Sequence, residues 1–148
     1  MTDERTLSVV ETRVFPAPVE RVWGAWTEPR MLERWIWGSI GRDERAEVDA
    51  RLGGAFRVST RNADGATFAM RGEFVAFEPH RKLVCTLAWD APMGYPPSPE
   101  RLIVELAPVA GGTELRFEHA GIPNAAARDE HARGWADVFQ RLALVLAE

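Results

Sequence analysis

His119 and His131 are the two side chains of this chain best placed to do chemistry. His119 alternates with Leu115 and Phe117 in a strand-like run, so the three share one face. His131 lies one helical turn before Trp135, on the apolar stripe of a long amphipathic segment. An imidazole at the wall of an apolar pocket can anchor a ligand carbonyl or hydroxyl, or act as general acid or base. The same rings can equally serve packing, satisfied by backbone or water. A zinc site needs at least three protein ligands. The sequence shows no third partner for the histidines, so no metal is expected. The lone Cys85 excludes a thiolate cluster and an internal disulfide. No cysteine-nucleophile motif, Ser-His-Asp order or phosphate loop is present. The Gly53-Gly54 and Gly111-Gly112 pairs sit in hairpin-turn contexts, without the strand-to-helix setting that phosphate binding requires.

Around the histidines the candidate ligand-binding residues are Trp37, Phe56, Met70, Trp89, Met93, Tyr95, Phe117 and Trp135. Most large apolar residues in a domain of this size build its core. Pockets, however, are lined by the same residue types with a few placed polar groups. Trp37, Trp89, Met93 and Tyr95 flank loops and so are favoured as pocket walls. The stretch from Asp90 to Glu100 holds Pro92, Pro96, Pro97 and Pro99. It reads either as a semi-rigid lip over a cavity or as a long hairpin loop stiffened by proline.

These residues must be held by elements that the patterning predicts. Leu7 to Phe15 reads as a first strand. Pro18 then opens a short helix whose Val19, Val22, Trp23 and Trp26 share one face. Thr27 is expected to cap a second short helix containing Met31, Leu32 and Trp35. Four of the six tryptophans fall between Arg13 and Gly38, more aromatic surface than two short helices can bury on each other. About six further strands follow, among them Phe68 to Phe77 and a run carrying Leu83, Cys85, Leu87 and Trp89. Gly72 within the first of these suggests a bulge or a close backbone approach. Arg57, Arg71 and Glu73 are expected on the solvent face, pairing across strands. The last element is a long helix capped by Asn124, with Gly134 expected to let it approach the sheet closely.

Composition narrows the classes. The 148 residues carry a net charge of −4, with 46% hydrophobic and 27% charged residues, as in a globular protein. The expectation is a single domain, 1–148, large enough to bury roughly 70% of its unfolded surface without a staple. Basic residues are scattered among acids, which weighs against nucleic acid as the main partner. No apolar run reaches the roughly 20 residues of a membrane span, and the charged N-terminus lacks a signal-peptide core. A cytoplasmic location is the default.

The order and local motifs resemble the START-like, helix-grip superfamily (SRPBCC). Within it they are similar to the bacterial branch related to the ATPase-activator domain of a heat-shock co-chaperone (Aha-type). The residues that carry this run from Phe15-Pro16-Ala17-Pro18-Val19-Glu20-Arg21-Val22-Trp23 through Ala25-Trp26-Thr27-Glu28-Pro29 and Leu32 to Trp35. They continue with Asp49 to Gly54, Phe56, Arg71-Gly72-Glu73, Glu78-Pro79 with Leu83, and Gly111 to Leu115. His119-Ala120-Gly121 and His131 with Gly134-Trp135 complete the set. The resemblance implies an α+β helix-grip fold. A curved antiparallel sheet of about seven strands wraps a long C-terminal helix, and two short helices follow strand 1. It also implies a cavity between sheet and helix that takes hydrophobic small molecules. Superfamily members include lipid carriers, hormone receptors, polyketide cyclases and co-chaperone domains.

The expected function is binding of a small hydrophobic ligand, as carrier or sensor, without a cofactor. The alternatives are a cofactor-independent cyclase- or hydrolase-like enzyme using a cavity histidine, and a chaperone-associated regulatory domain. A monomer or homodimer fits either. The resemblance to a co-chaperone makes a chaperone a candidate partner.

Overall fold

A computed structural model describes residues 7–90 and 100–148. Among these residues eight antiparallel strands form one sheet: β1 (Leu7–Phe15), β2 (Arg45–Val48), β3 (Ala55–Arg61), β4 (Thr67–Glu78), β5 (Lys82–Thr86), β6 (Ala88–Trp89), β7 (Arg101–Val109) and β8 (Gly112–Ile122). Seven lie in the order β1-β8-β7-β5-β4-β3-β2, and the two-residue β6 pairs with β4 beside β5. The helices are α1 (Val19–Thr27), α2 (Pro29–Trp35) and α3 (Ala125–Leu146), with a 3-10 turn at Gly38–Ile40. This is the α+β helix-grip arrangement.

Helix α3 begins where Asn124 accepts a hydrogen bond from the Ala127 amide at 2.8 Å. Its apolar stripe, Trp135, Val138, Phe139, Leu142, Val145 and Leu146, is buried. Its far end is held by Arg21, whose guanidinium donates to the carbonyls of Val145 and Glu148, both at 3.1 Å. A cation on the last carbonyls satisfies acceptors that the helix leaves open and complements its dipole. The tryptophans of α1 and α2 pack inward as their density in the sequence demands. Trp26 meets Trp35 edge-on at 4.7 Å, and Trp35 donates its indole N–H to the Ala25 carbonyl at 2.9 Å.

Several local expectations are corrected. Thr27 closes α1 and does not cap α2: its hydroxyl donates to the Trp23 carbonyl at 2.9 Å, and Glu28 holds the cap position before Pro29. A Thr side chain facing back along its own helix is satisfied there and has nothing left for the next. The run Lys82 to Trp89 is not one strand. It breaks at Leu87, whose amide turns to the Glu100 carbonyl at 3.1 Å. In β1 the inward face carries Glu11 and Arg13 beside Val9 and Phe15, while Val10 and Val14 are exposed. Arg13 lies 5.7 Å from the Phe139 ring centre, a cation–π contact under α3.

Two glycines have opposite roles. A methyl group on Gly72 would sit 1.9 Å from the Thr86 carbonyl oxygen, so only glycine lets β4 pass that backbone. Gly134 does not serve close approach to the sheet, since a methyl group there would meet nothing within 4 Å among the described residues. Gly72→Ala is therefore expected to destabilise by roughly 1–3 kcal/mol. Gly134→Ala should stabilise by up to about 1 kcal/mol through helix propensity. Urea unfolding of the two variants measures both signs.

Candidate functional site

The grip of the sheet on α3 is tight along the C-terminal half of the helix and loose near its start. There a cavity of about 250 Å³ lies between α3, β4, β6 and the segment after α2. Ile36, Trp37 and Ile40 form one wall, Phe68, Met70 and Trp89 another, and His131, Trp135 and Val138 the helix side. Glu130, Gly134 and Asp137 also border it. Asp137 fixes the 3-10 turn to the helix, accepting from the Ser39 amide at 2.8 Å and the Ser39 hydroxyl at 2.9 Å. A second, smaller void of about 40 Å³ lies deeper, under α1 and α2, lined only by apolar residues and by Cys85. Ile36 and Met70 border both spaces and form the partition between them.

Of the residues singled out in the sequence, Trp37, Met70, Trp89, His131 and Trp135 meet at this cavity. Phe56 borders the inner void instead. Phe117 lines neither space: it is fully buried among Trp26, Trp135 and Phe139. Met93 and Tyr95 lie outside the described residues. Trp89 stacks on His131 with ring centres 5.7 Å apart and 18° between planes. The indole nitrogens of Trp37 and Trp26 are buried and have no hydrogen-bond acceptor among the described residues.

His119 does not reach the cavity wall. It is fully buried one layer behind His131, with the two rings 4.7 Å apart. Both its nitrogens are used. Trp135 Nε1 donates to His119 Nδ1 at 3.0 Å, and His119 Nε2 lies 2.6 Å from Glu100 Oε1. An indole nitrogen can only donate. Nδ1 must therefore be the bare nitrogen, and the imidazole proton sits on Nε2, directed at the Glu100 carboxylate. The chain of donors has one direction: Trp135 to His119 to Glu100.

Glu100 is the residue that sequence reasoning missed. It lies nineteen positions from His119 and is 6% exposed. The only available signal was an acid closing a proline-rich stretch before an alternating strand. The β7–β8 register explains its position: Arg101 pairs with Ala120 and Leu102 with His119, bringing the start of β7 beside His119. Glu100, His119 and His131 thus offer three ligand atoms within 4.8 Å of one another, the trio absent from the sequence expectation. The hydrogen-bond direction argues against a cation between them. A coordinating nitrogen must be bare, whereas Trp135 forces the proton onto the very nitrogen that faces Glu100.

His131 makes no hydrogen bond among the described residues. Burial, then the neighbouring His119, hold its pKa below the ordinary 6.5, with Glu100 opposing more weakly. Its ring is uncharged at neutral pH. The one thiol contributes no nucleophile: burial pushes Cys85 up to about 12. On the outer face, Arg57 and Arg71 are direct cross-strand partners, and both bind Asp90, at 3.3 and 2.7 Å. Arg71 first, then Arg57, hold the Asp90 carboxyl below the usual carboxylate range. One acid thus bridges two like charges that face each other across the strands, and Glu73 pairs with Ala55.

With this geometry, the comparison with known proteins is decisive for the family. The model of the "activator of Hsp90 ATPase homolog 1-like protein" family matches residues 16–147. The chain belongs to that family. No curated protein matches it. A solved protein of Chromobacterium violaceum is 26% identical, with a TM-score of 0.82 over 95% of this chain and 98% of that one. One from Rhodobacter sphaeroides is 25% identical, with a TM-score of 0.79 over 95% and 92%. The AHSA1 protein of Silicibacter pomeroyi, at 19% identity and a TM-score of 0.79 over 95% and 98%, shares the fold. Among the described residues no helix is long and apolar enough to cross a membrane.

Two predictions follow from the buried chain of donors. Long-range proton–nitrogen NMR should show His119 as the neutral Nε2–H tautomer. Trp135→Phe should erase that signature and cost about 1–3 kcal/mol, because Nδ1 loses its donor. For His131 the folded pKa is depressed, so the unfolded chain binds more protons. Stability should fall as pH drops from about 6.5 toward the lower folded value and flatten below it. Urea midpoints measured from pH 7.5 to 5 should show this slope, reduced in His131→Gln.

Proposed function

We propose that this protein binds a small hydrophobic molecule in the cavity between the sheet and α3, as a carrier or sensor. The observation that carries this reading is the cavity itself. It is a hollow of about 250 Å³ walled by aromatic, aliphatic and Met side chains, with His131, Glu130 and Asp137 as polar points. Sites for drug-sized ligands span roughly 300–1,000 Å³, so the occupant is small. A side chain added at Gly134, which borders the cavity, would meet no atom of the described residues within 4 Å. The family's helix-grip fold supports the same conclusion.

Acid–base catalysis is the second reading, favoured by one observation. His131 is an uncharged imidazole on the wall, without a hydrogen bond among the described residues, next to a buried carboxylate. His119 is spoken for by Trp135 and Glu100, so any base would be His131. In that case His131→Gln would retain ligand binding and lose turnover. A chaperone-docking role has less support. The exposed large apolar residues, Val10, Val14, Ile40, Leu52, Val75, Val109 and Leu144, are spread over six parts of the fold.

Native mass spectrometry of freshly purified protein should reveal a co-purified small molecule. Uptake of the uncharged probe N-phenyl-1-naphthylamine should weaken at least tenfold in Gly134→Leu, with no loss of melting temperature. Wild-type protein that neither carries a molecule nor takes up the probe would end this reading.

A further inference from the structure

From the two hollows and the side chain between them we infer that the inner void is the far end of the ligand site. It takes the tip of an unbranched aliphatic chain, and Met70 is the gate that admits it. This rests on the outer cavity being a ligand site.

The first observation is the lining of the void. Its volume of about 40 Å³ is walled by side chains such as Trp26, Leu32, Val58, Phe74, Leu83 and Cys85. The Trp26 nitrogen is covered by its neighbours, and burial keeps the Cys85 thiol protonated. What faces the void is therefore carbon and one uncharged sulfur. An apolar void stays dry, and its walls lack the dispersion contacts that a filled space would give them. Hydrocarbon entering it gains those contacts and displaces no water. A hollow of about 150 Å³ takes a benzene ring, so this one excludes rings and fits a chain end. A polar or charged head group has no partner there. It stays in the outer cavity, whose border carries Glu130, His131 and Asp137.

The second observation is the register of β4. One face of this strand runs from the outer cavity to the void: Phe68 lines the first, Phe74 the second and Met70 both. Across the sheet Met70 pairs on one side with Val58 of β3, which lines the void. On the other side it pairs with Trp89 of β6, which lines the outer cavity. Met70 thus stands where the two spaces meet. The other residue of the partition, Ile36, caps the end of α2 and is β-branched, hence stiff at its first torsion. Met70 is unbranched, with three rotatable bonds, and can swing aside while its strand stays in place. A stiff side chain here would be a wall, whereas methionine makes a door.

The test displaces N-phenyl-1-naphthylamine from the whole protein with straight-chain alcohols, 1-hexanol to 1-dodecanol in single-carbon steps. A control, 4-cyclohexyl-1-butanol, has the carbon count of 1-decanol but ends in a ring. Affinity should rise by about fourfold per methylene until the void is filled, then level off. The ring-ended alcohol should bind on the order of tenfold more weakly than 1-decanol. Cys85→Met fills the void at a position that does not line the outer cavity. Its cost should grow with chain length, reaching about tenfold at 1-dodecanol. Met70→Ala removes the gate and should move the plateau to chains about two carbons longer. The inference is overturned if folded Cys85→Met affects all chain lengths alike, or none. It is equally overturned if Met70→Ala leaves the plateau in place, or if the ring-ended alcohol matches 1-decanol. Where Cys85→Met does not fold, Met70→Ala and the ring comparison decide. In each of these cases the probe still binds, so the inner subsite falls alone. If wild-type protein takes up neither probe nor alcohol, the ligand-cavity reading falls with it.

Discussion

Trp135 fastens the terminal helix to the sheet by two different forces, and the site depends on both. Its ring packs 4.4 Å from Phe117 and 5.8 Å from Phe139, which seats the helix on the aromatic core. Its N–H donates to His119, which fixes that ring's proton and through it the orientation of Glu100. Apolar burial alone is non-directional and would allow the helix to slide or roll. The hydrogen bond sets the rotation about the helix axis. That rotation turns His131 and Gly134 toward the hollow and keeps Phe139 and Leu142 in the core.

The hollow follows from how a straight helix meets a bent sheet. Along the second half of α3 the side chains of β1 and β8 and the two short helices close around it. Near its start, the nearest strands are β4 and β6, and the segment after α2 stands between. Asp137 ties that segment to the helix through Ser39, so the wall is held at a distance by hydrogen bonds and is not free to collapse. Gly38 enables this attachment. It has a positive φ of 57°, and an added methyl group would lie 2.3 Å from Asp137 Oδ2.

Within the hollow, polarity is placed unevenly. The buried chain behind it is saturated at His119: both of its nitrogens are bonded. The cavity surface keeps a group with no hydrogen-bond partner among the described residues, the His131 ring. A structural polar network closes on itself, whereas a binding surface leaves donors and acceptors for its occupant. The layer that holds the fold and the layer that meets a ligand are thus adjacent but chemically separate.

Periodicity in the chain determined much on its own. The alternation in β8 put Leu115, Phe117 and His119 on one face, and the 3.6-residue spacing put Trp135, Val138, Phe139 and Leu142 on one stripe. Pro29 and Asn124 marked helix starts through local backbone chemistry, and the ordered motifs pointed to the helix-grip fold. Those are properties of neighbours along the chain, which a single sequence contains. Three-dimensional packing alone decided the rest. Glu100 meets His119 because β7 and β8 pair in one register, and no local pattern encodes the partner of a strand end. Phe56 and Phe117 look like pocket residues by type, yet one faces the inner void and the other fills the core. Gly134 reads as a contact glycine and borders the cavity instead. Each of these depends on which surfaces a distant element covers, and that is set by long-range contacts.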